Sequence, residues 1–222
     1  MGFLEGKTAI ITGAGFAALK DGSAGSIGYG IATAYAKEGA NLVITGRNVK
    51  KLETAKEKLE AEYGIQVLCV AADVNAGADN QAVVQNVIDQ AIEKFGRIDV
   101  LVNDAGTTFR CSFEDFPEEE YDRVVDTNMK SVYLGARIAY EAMKDKGGVM
   151  LLASSFAAVF PSVGSGVYAA TKSAVKSMVN TLAAELAPYG IRVNGYIPGH
   201  DPRTYRQQRR GHEERHRHAD LR

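Results

Sequence analysis

Lys7-Thr8-Ala9-Ile10-Ile11-Thr12, followed at once by Gly13-Ala14-Gly15, is the stretch from which the fold is read. The six residues before the glycines form a short apolar, β-branched run, the composition of a buried strand. After an interruption, Gly25-Ser26-Ile27-Gly28 opens a helical pattern from about Tyr29 to Lys37. Strand, glycine turn and helix N-terminus in that order make a phosphate cradle. The glycines let backbone approach the anion, and the free N–H groups and dipole of the helix attract it. An isolated glycine cluster has a plainer reading as an ordinary connection, so the downstream pattern decides between the two.

Outward from this unit, strands and helices alternate. Asn41–Thr45 reads as a strand and Val49–Tyr63 as a helix with Leu52, Ala55, Leu59 and Tyr63 on one face. Ile65–Val70 is a strand, and Asp79–Phe95 a helix whose stripe is Val84, Val87, Ile88, Ala91 and Ile92. Asp99–Asn103 is a strand, followed by a long helical region from Glu118 to Lys144. Val149–Ala153 is a strand, and Gly166–Ala187 a helix burying Val175, Met178, Val179, Leu182 and Leu186. Ile191–Ile197 is the last strand to be read. This alternation, with apolar residues three or four apart on the helices, predicts a parallel sheet covered on both faces: a doubly wound α/β domain.

Within that frame, Tyr168 and Lys172 lie four residues apart, one turn from each other on one helix face. A free tyrosine titrates near pH ~10, and each unit of depression requires ~1.4 kcal/mol of extra phenolate stabilisation. A nearby ammonium supplies this by charge attraction. Ser155, thirteen residues before Tyr168, then offers a hydroxyl to hold a carbonyl or alcohol oxygen against the phenol. Ser154 has the same chemistry, and only the spacing selects Ser155. Each residue also has a plainer reading: Lys172 as a surface lysine, Asn128 as a helix cap or kink, Asp73 as a turn aspartate.

Taken in order, the motifs resemble the short-chain dehydrogenase/reductase family over residues 1 to about 199. The resemblance implies one NAD(P)-binding domain of Rossmann fold over that span, carrying the catalytic residues. It implies that Gly13, Gly15, Ser26, Ile27 and Gly28 serve the pyrophosphate and that Asp73 holds the adenine. Asn103, Ala105 and Gly106 would shape the cofactor floor, and Pro198-Gly199 would pack by the nicotinamide. Tyr168 would be the general acid/base and Ser155 would orient the substrate oxygen. Lys172 would bind the nicotinamide ribose and share a proton relay with Asn128 through a water. Relatives pair through two long helices, here Glu118–Lys144 and Gly166–Ala187, which implies a homodimer or homotetramer.

NAD-preferring relatives place an acidic residue after the second strand to bind the ribose hydroxyls. Here that corner reads Thr45-Gly46-Arg47-Asn48, with no carboxylate and a guanidinium suited to a 2′-phosphate. NADP(H) is therefore expected over NAD(H). The expected activity interconverts a carbonyl and a secondary alcohol. One alternative is an enoyl-thioester reductase, which the Ser26-Ile27-Gly28-Tyr29-Gly30-Ile31 string resembles. That branch usually spaces its tyrosine and lysine more widely. The other alternative is a nucleotide-binding remnant without turnover. Steroids, sugars, acyl thioesters and small ketones all remain open as substrates.

Three features depart from the family pattern. Phe16–Ala24 is inserted in the glycine loop, where a mobile surface segment is expected. Asp104 stands where a second asparagine is usual. From His200 onward the composition changes: all four histidines and seven of the thirteen arginines fall there, with no lysine. So few apolar residues cannot bury a core face, and the segment 200–222 is expected to be disordered. A family member would continue with a covering segment and a final strand, so their replacement here by a change of reading frame is expected. His212-Glu213-Glu214-Arg215-His216 matches a zinc-protease string, but it lacks the apolar helix and third ligand such a site needs, so no metal site is expected.

Composition agrees with one domain. At 222 residues, 45% hydrophobic and with net charge −1, the chain can bury a sizeable core and has no basic body for nucleic acid. No apolar run reaches membrane-spanning length and no signal peptide precedes the first strand. Cys69 and Cys111 give no disulfide framework. A cytoplasmic protein is expected.

Overall fold

Unbroken apolar strands need cover on both faces, and the computed structural model supplies it. The structure describes residues 2–19, 25–75 and 77–199. Among them lie strands β1 (Thr8–Thr12), β2 (Asn41–Gly46), β3 (Val67–Ala71), β4 (Val100–Asn103), β5 (Gly148–Ala153) and β6 (Ile191–Tyr196). They form one sheet in the order β3-β2-β1-β4-β5-β6, every pairing parallel. This is the doubly wound Rossmann order, whose ligands bind outside the carboxyl ends of the strands where the order reverses, here between β1 and β4.

The helices are α1 (Ile27–Lys37), α2 (Val49–Tyr63), α3 (Asn80–Phe95), α4 (Glu118–Val125), α5 (Ser131–Met143) and α6 (Gly166–Leu186). Ile10, Val43, Leu101 and Met150 face one core with Val87, Ile88, Ile138 and Val175 of α3, α5 and α6. Ile11, Leu42, Ile44 and Val102 face the other, with Ala32, Ala36, Leu52 and Leu59 of α1 and α2. Toward β5 and β6 this second face is less covered: Val149 and Leu151 are half-buried, and Arg192 and Asn194 exposed.

Several expected boundaries move, for local reasons. Helix α1 starts two residues before Tyr29, because Ser26 caps it by accepting from the Tyr29 amide at 3.4 Å. Strand β3 starts at Val67, whose amide is held by Glu60 at 2.9 Å. The helical region from Glu118 to Lys144 is not one α-helix. A π turn over Asp126–Lys130 separates α4 from α5. Such an insertion carries one residue out of the regular stripe, and here Asn128 is completely buried at its centre. Helix α5 then approaches β4 closely: a Cβ on Gly135 would stand 2.8 Å from Asn103 Oδ1.

The inserted loop is described only to Leu19 and again from Gly25. Its first residue is anchored: Phe16 stacks edge-on against Tyr29, 5.1 Å between centroids, with Lys58 Nζ 5.2 Å over its ring. The expectations for 200–222, including the lost final strand and the histidine-rich string, fall outside the described residues. Among the described residues no group of histidine, cysteine, aspartate and glutamate side chains could hold a metal ion.

Candidate active site

Strand β1 delivers the chain into a turn that another turn crosses. Gly13 has a φ of +74°, which L side chains rarely adopt, and a Cβ there would stand 3.2 Å from Ala105 Cα. Gly28 faces it: a Cβ on Gly28 would meet the Gly13 carbonyl oxygen at 2.5 Å. The two glycines thus seat the first turn of α1 directly over the end of β1. Thr12 Oγ1 accepts from the amides of Asp104 and Ala105, both at 2.9 Å, and so pins the turn after β4 beside the glycine loop. Gly15 lies against Lys51, with 3.2 Å from a Cβ position to the lysine Cβ.

The remaining residues anticipated for a cofactor sit around this junction. Ile27 is exposed at the first position of α1, while the Ser26 hydroxyl is engaged in its cap. Arg47 is exposed beyond the end of β2, with no ion pair among the described residues. Asp73, exposed after β3, accepts from the Asn75 amide at 3.0 Å, a local turn contact. Asn103 is turned away from the surface: its Nδ2 donates to the Val132 carbonyl at 3.3 Å under α5. Val74, Asn103, Ala105 and Thr45 line one recess, and the buried Thr45 Oγ1 has no hydrogen-bond partner among the described residues.

A second cluster forms past the ends of β4 and β5. Asn128 Oδ1 accepts from the Thr107 amide at 2.9 Å, while its Nδ2 donates to the Thr107 carbonyl at 2.8 Å and to Thr171 Oγ1 at 3.2 Å. One buried side chain therefore ties the turn after Gly106 to α6. Ser154, 4% exposed, donates to the Lys172 carbonyl at 2.8 Å. Ser155 is half-buried and accepts from the Ala157 amide at 3.2 Å, which leaves its proton free to point outward. Burial thus separates the two serines that spacing alone had distinguished. Pro198 comes alongside, its carbonyl accepting from the Phe156 amide at 3.0 Å, and Gly199 follows exposed.

Tyr168 is half-buried on α6, with Lys172 Nζ 5.9 Å from its ring centroid. Lys172 is 3% exposed, and its Nζ donates to the Ala153 carbonyl at 2.9 Å. Burial pulls its ammonium down to about 8, while the Asp104 carboxylate pulls the other way. Gly106 makes room for this group: a Cβ there would stand 3.3 Å from Asn128 Oδ1 and 3.4 Å from Lys172 Nζ. Burial pushes the Asp104 carboxyl up, opposed by a hydrogen bond from Tyr196, the charge of Lys172 and the Gly28 amide.

Sequence reasoning missed Thr12, Thr107, Thr171 and Tyr196. Each acts through a partner far away in the chain, and none carries a local signal beyond being a small or aromatic residue near a strand or helix end. The structure brings together Asn128, Ser155, Tyr168 and Lys172 with Gly106 and Pro198. It places Arg47 and Asp73 apart from them, beyond β2 and β3.

The chain matches the family model for short chain dehydrogenase over residues 7–214, a span that runs past Gly199. It is similar to a 12α-hydroxysteroid dehydrogenase from Clostridium sp., 39% identical over 203 residues, covering 89% of this chain and 74% of that one. The structure superposes on L-sorbose reductase from Gluconobacter frateurii complexed with NADPH and L-sorbose. That match has a TM-score of 0.80 and 32% identity, over 90% of this chain and 71% of the other. An NAD⁺-bound xylitol dehydrogenase matches with a TM-score of 0.80 and 27% identity, over 93% and 75% of the two chains. With the doubly wound sheet, these matches establish that the chain belongs to the short-chain dehydrogenase family of NAD(P)-dependent oxidoreductases.

Proposed function

We propose that the protein interconverts a ketone and a secondary alcohol with NADP(H), using Ser155, Tyr168 and Lys172. The observation that carries this reading is the convergence of a partly exposed serine hydroxyl and phenol with a buried ammonium, at the carboxyl ends of the strands. The dinucleotide fits the residues present. Helix α1 has no acidic side chain in its first turn, and Gly13 and Gly28 bring backbone to the phosphate side of the site. In the recess lined by Val74, Asn103 and Ala105, the buried hydroxyl of Thr45 has no partner among the described residues.

Bound there, the cofactor supplies or accepts the hydride. In the direction of reduction, Ser155 Oγ donates a hydrogen bond to the carbonyl oxygen and Tyr168 Oη gives that oxygen its proton. Lys172 favours the phenolate left behind and, one turn along α6, would hold the nicotinamide ribose. Asn128 fixes α6 to the turn after Gly106, so that the lysine keeps its place. Reduction assays with NADPH against a panel of ketones and 2-enoyl thioesters test the reading. Ketone reduction is expected. Reduction of the enoyl thioesters alone would transfer the protein to that other chemistry.

Arg47 and the first turn of α2, which holds Lys50 and Lys51 and no acid, favour the 2′-phosphate. Cations at a helix N-terminus oppose its dipole, and an anion between them removes that conflict. Arg47→Ala should weaken NADPH binding by about tenfold, the size of one charge-assisted contact, and leave NADH binding within twofold or so. Titration of both cofactors by nicotinamide fluorescence checks it. An equal loss for the two would contradict the assignment.

Assembly follows the same reading. The outer face of α6 presents Ala170, Ser173, Ser177 and Ala184, small residues that permit close helix approach. At least a homodimer is expected, measurable as mass by light scattering, and a strict monomer at micromolar concentration would oppose it. A cytoplasmic location belongs to the same proposal, supported by the two unpaired thiols Cys69 and Cys111. No described helix is long and apolar enough to cross a membrane.

A further inference from the structure

Lys172 is buried, yet among the described residues its ammonium has one hydrogen bond, to the Ala153 carbonyl, and no carboxylate within ion-pair distance. A charge taken out of water without compensation is costly, and such a group neutralises instead. The compensation is on the neighbouring turn. Lys172 Nζ packs on Gly106, two residues along from Asp104. The Asp104 carboxylate is fixed from two sides. Tyr196 Oη, at the end of β6, donates to its Oδ1 at 2.5 Å. Its Oδ2 faces α1, 2.9 Å from the position a Cβ on Gly28 would take. Both of its oxygens are thus engaged within the fold.

We propose that Asp104, clamped by Tyr196 and backed by the first turn of α1, is the counter-charge that keeps Lys172 an ammonium, and so is a positioning residue for the reaction at Tyr168. The catalytic consequence rests on the function proposed above, but the charge coupling itself does not. Asparagine in this place would fill the same space and hold no charge. The aspartate is matched to its neighbours, because the Tyr196 hydroxyl and the Gly28 amide both donate to it and an asparagine has a single acceptor oxygen. Among the described residues, three other titratable groups face the pair. Tyr168 lies on the lysine's own helix, Tyr196 reaches in from β6, and Tyr35 of α1 stands behind Tyr196. Tyr196 is held in its neutral, donating form by burial and by the Asp104 charge, both of which push its phenol up.

The pair is tested without substrate or cofactor. In protein labelled with ¹³C at lysine Cε, the Lys172 resonance is assigned by its loss in Lys172→Met and followed across pH. In the wild type it should titrate at about 8. In Asp104→Asn the midpoint should fall by about one pH unit, a tenfold loss of proton affinity. The reciprocal measurement follows the Asp104 carboxyl carbon in Lys172→Met, where linkage requires its midpoint to rise by the same amount. If Asp104→Asn does not fold, this second shift decides alone. A midpoint unchanged to within about 0.2 units, the scatter of such a titration against the ~1 unit expected, would overturn the proposal in either arm. The outcome is separable from that of the proposed function. A protein with the coupling but no hydride transfer refutes only the function, and one with hydride transfer but no coupling refutes only this inference.

Discussion

Tyr168→Phe should lower hydride transfer by roughly a thousandfold or more, the range associated with removing a positioned general acid, while NADPH binding stays within about twofold. The substitution keeps the ring and deletes only the phenolic oxygen, so packing on α6 is unchanged. The separation follows from where the residues lie. Tyr168 lies on α6 one turn from Lys172, whereas the glycine loop and Arg47, proposed above to meet the phosphate end, follow β1 and β2. Stopped-flow following of nicotinamide absorbance, alongside equilibrium binding of NADPH, reads both quantities. Retained turnover would mean another group donates the proton.

Lys172→Met should affect activity and stability in opposite directions. Activity should fall at least as far as in Tyr168→Phe, because the phenolate loses its neighbouring charge and the ribose a hydrogen-bond donor. Stability at neutral pH should rise. The lysine's ordinary value of 10.5 is lowered to about 8 by burial, so folding disfavours its charged form. A group depressed in this way contributes stability that is fully present above 10.5 and lost as pH falls through about 8. Wild type should therefore gain stability between those limits, and the methionine variant should not. At pH 7 the variant should be more stable by on the order of 2 kcal/mol, after allowing for the bare Ala153 carbonyl. Urea unfolding at pH 7 and pH 10 tests this; a variant less stable at pH 7 would contradict the assigned cost of burying the charge.

The parts of this fold that were legible in the sequence are those set by neighbours in the chain. The run from Lys7 into Gly13 carries its strand and turn locally, and the stripe Leu52-Ala55-Leu59 carries α2 by its period alone. Tyr168 and Lys172 were legible together because a helix makes sequence spacing into geometry. What stayed hidden depends on contacts between distant segments. The π turn at Asp126–Lys130 exists where Asn128 reaches Thr107 and Thr171, and nothing in the local string Asp-Thr-Asn-Met-Lys distinguishes it from ordinary helix. The Asp104–Tyr196 bond joins residues 92 apart, as does the contact of Thr12 with the Asp104 amide. Read alone, Asp104 was only a departure from a family pattern, and its meaning came with Tyr196. Ser26 and Asn103 carry a motif reading as well, a place by the pyrophosphate and in the cofactor floor; the structure adds that their side chains cap α1 and support α5.

The most direct test of the central claim is a single turnover of NADPH carrying deuterium at the transferable position of its nicotinamide, with protein in excess over the cofactor and a ketone that the panel identifies. The expected result is an alcohol bearing deuterium on its carbinol carbon, formed by the wild type and absent with Tyr168→Phe. Oxidation of the cofactor without label on that carbon, or equal labelling by both proteins, would contradict the reading of Ser155, Tyr168 and Lys172 as a carbonyl-reducing site.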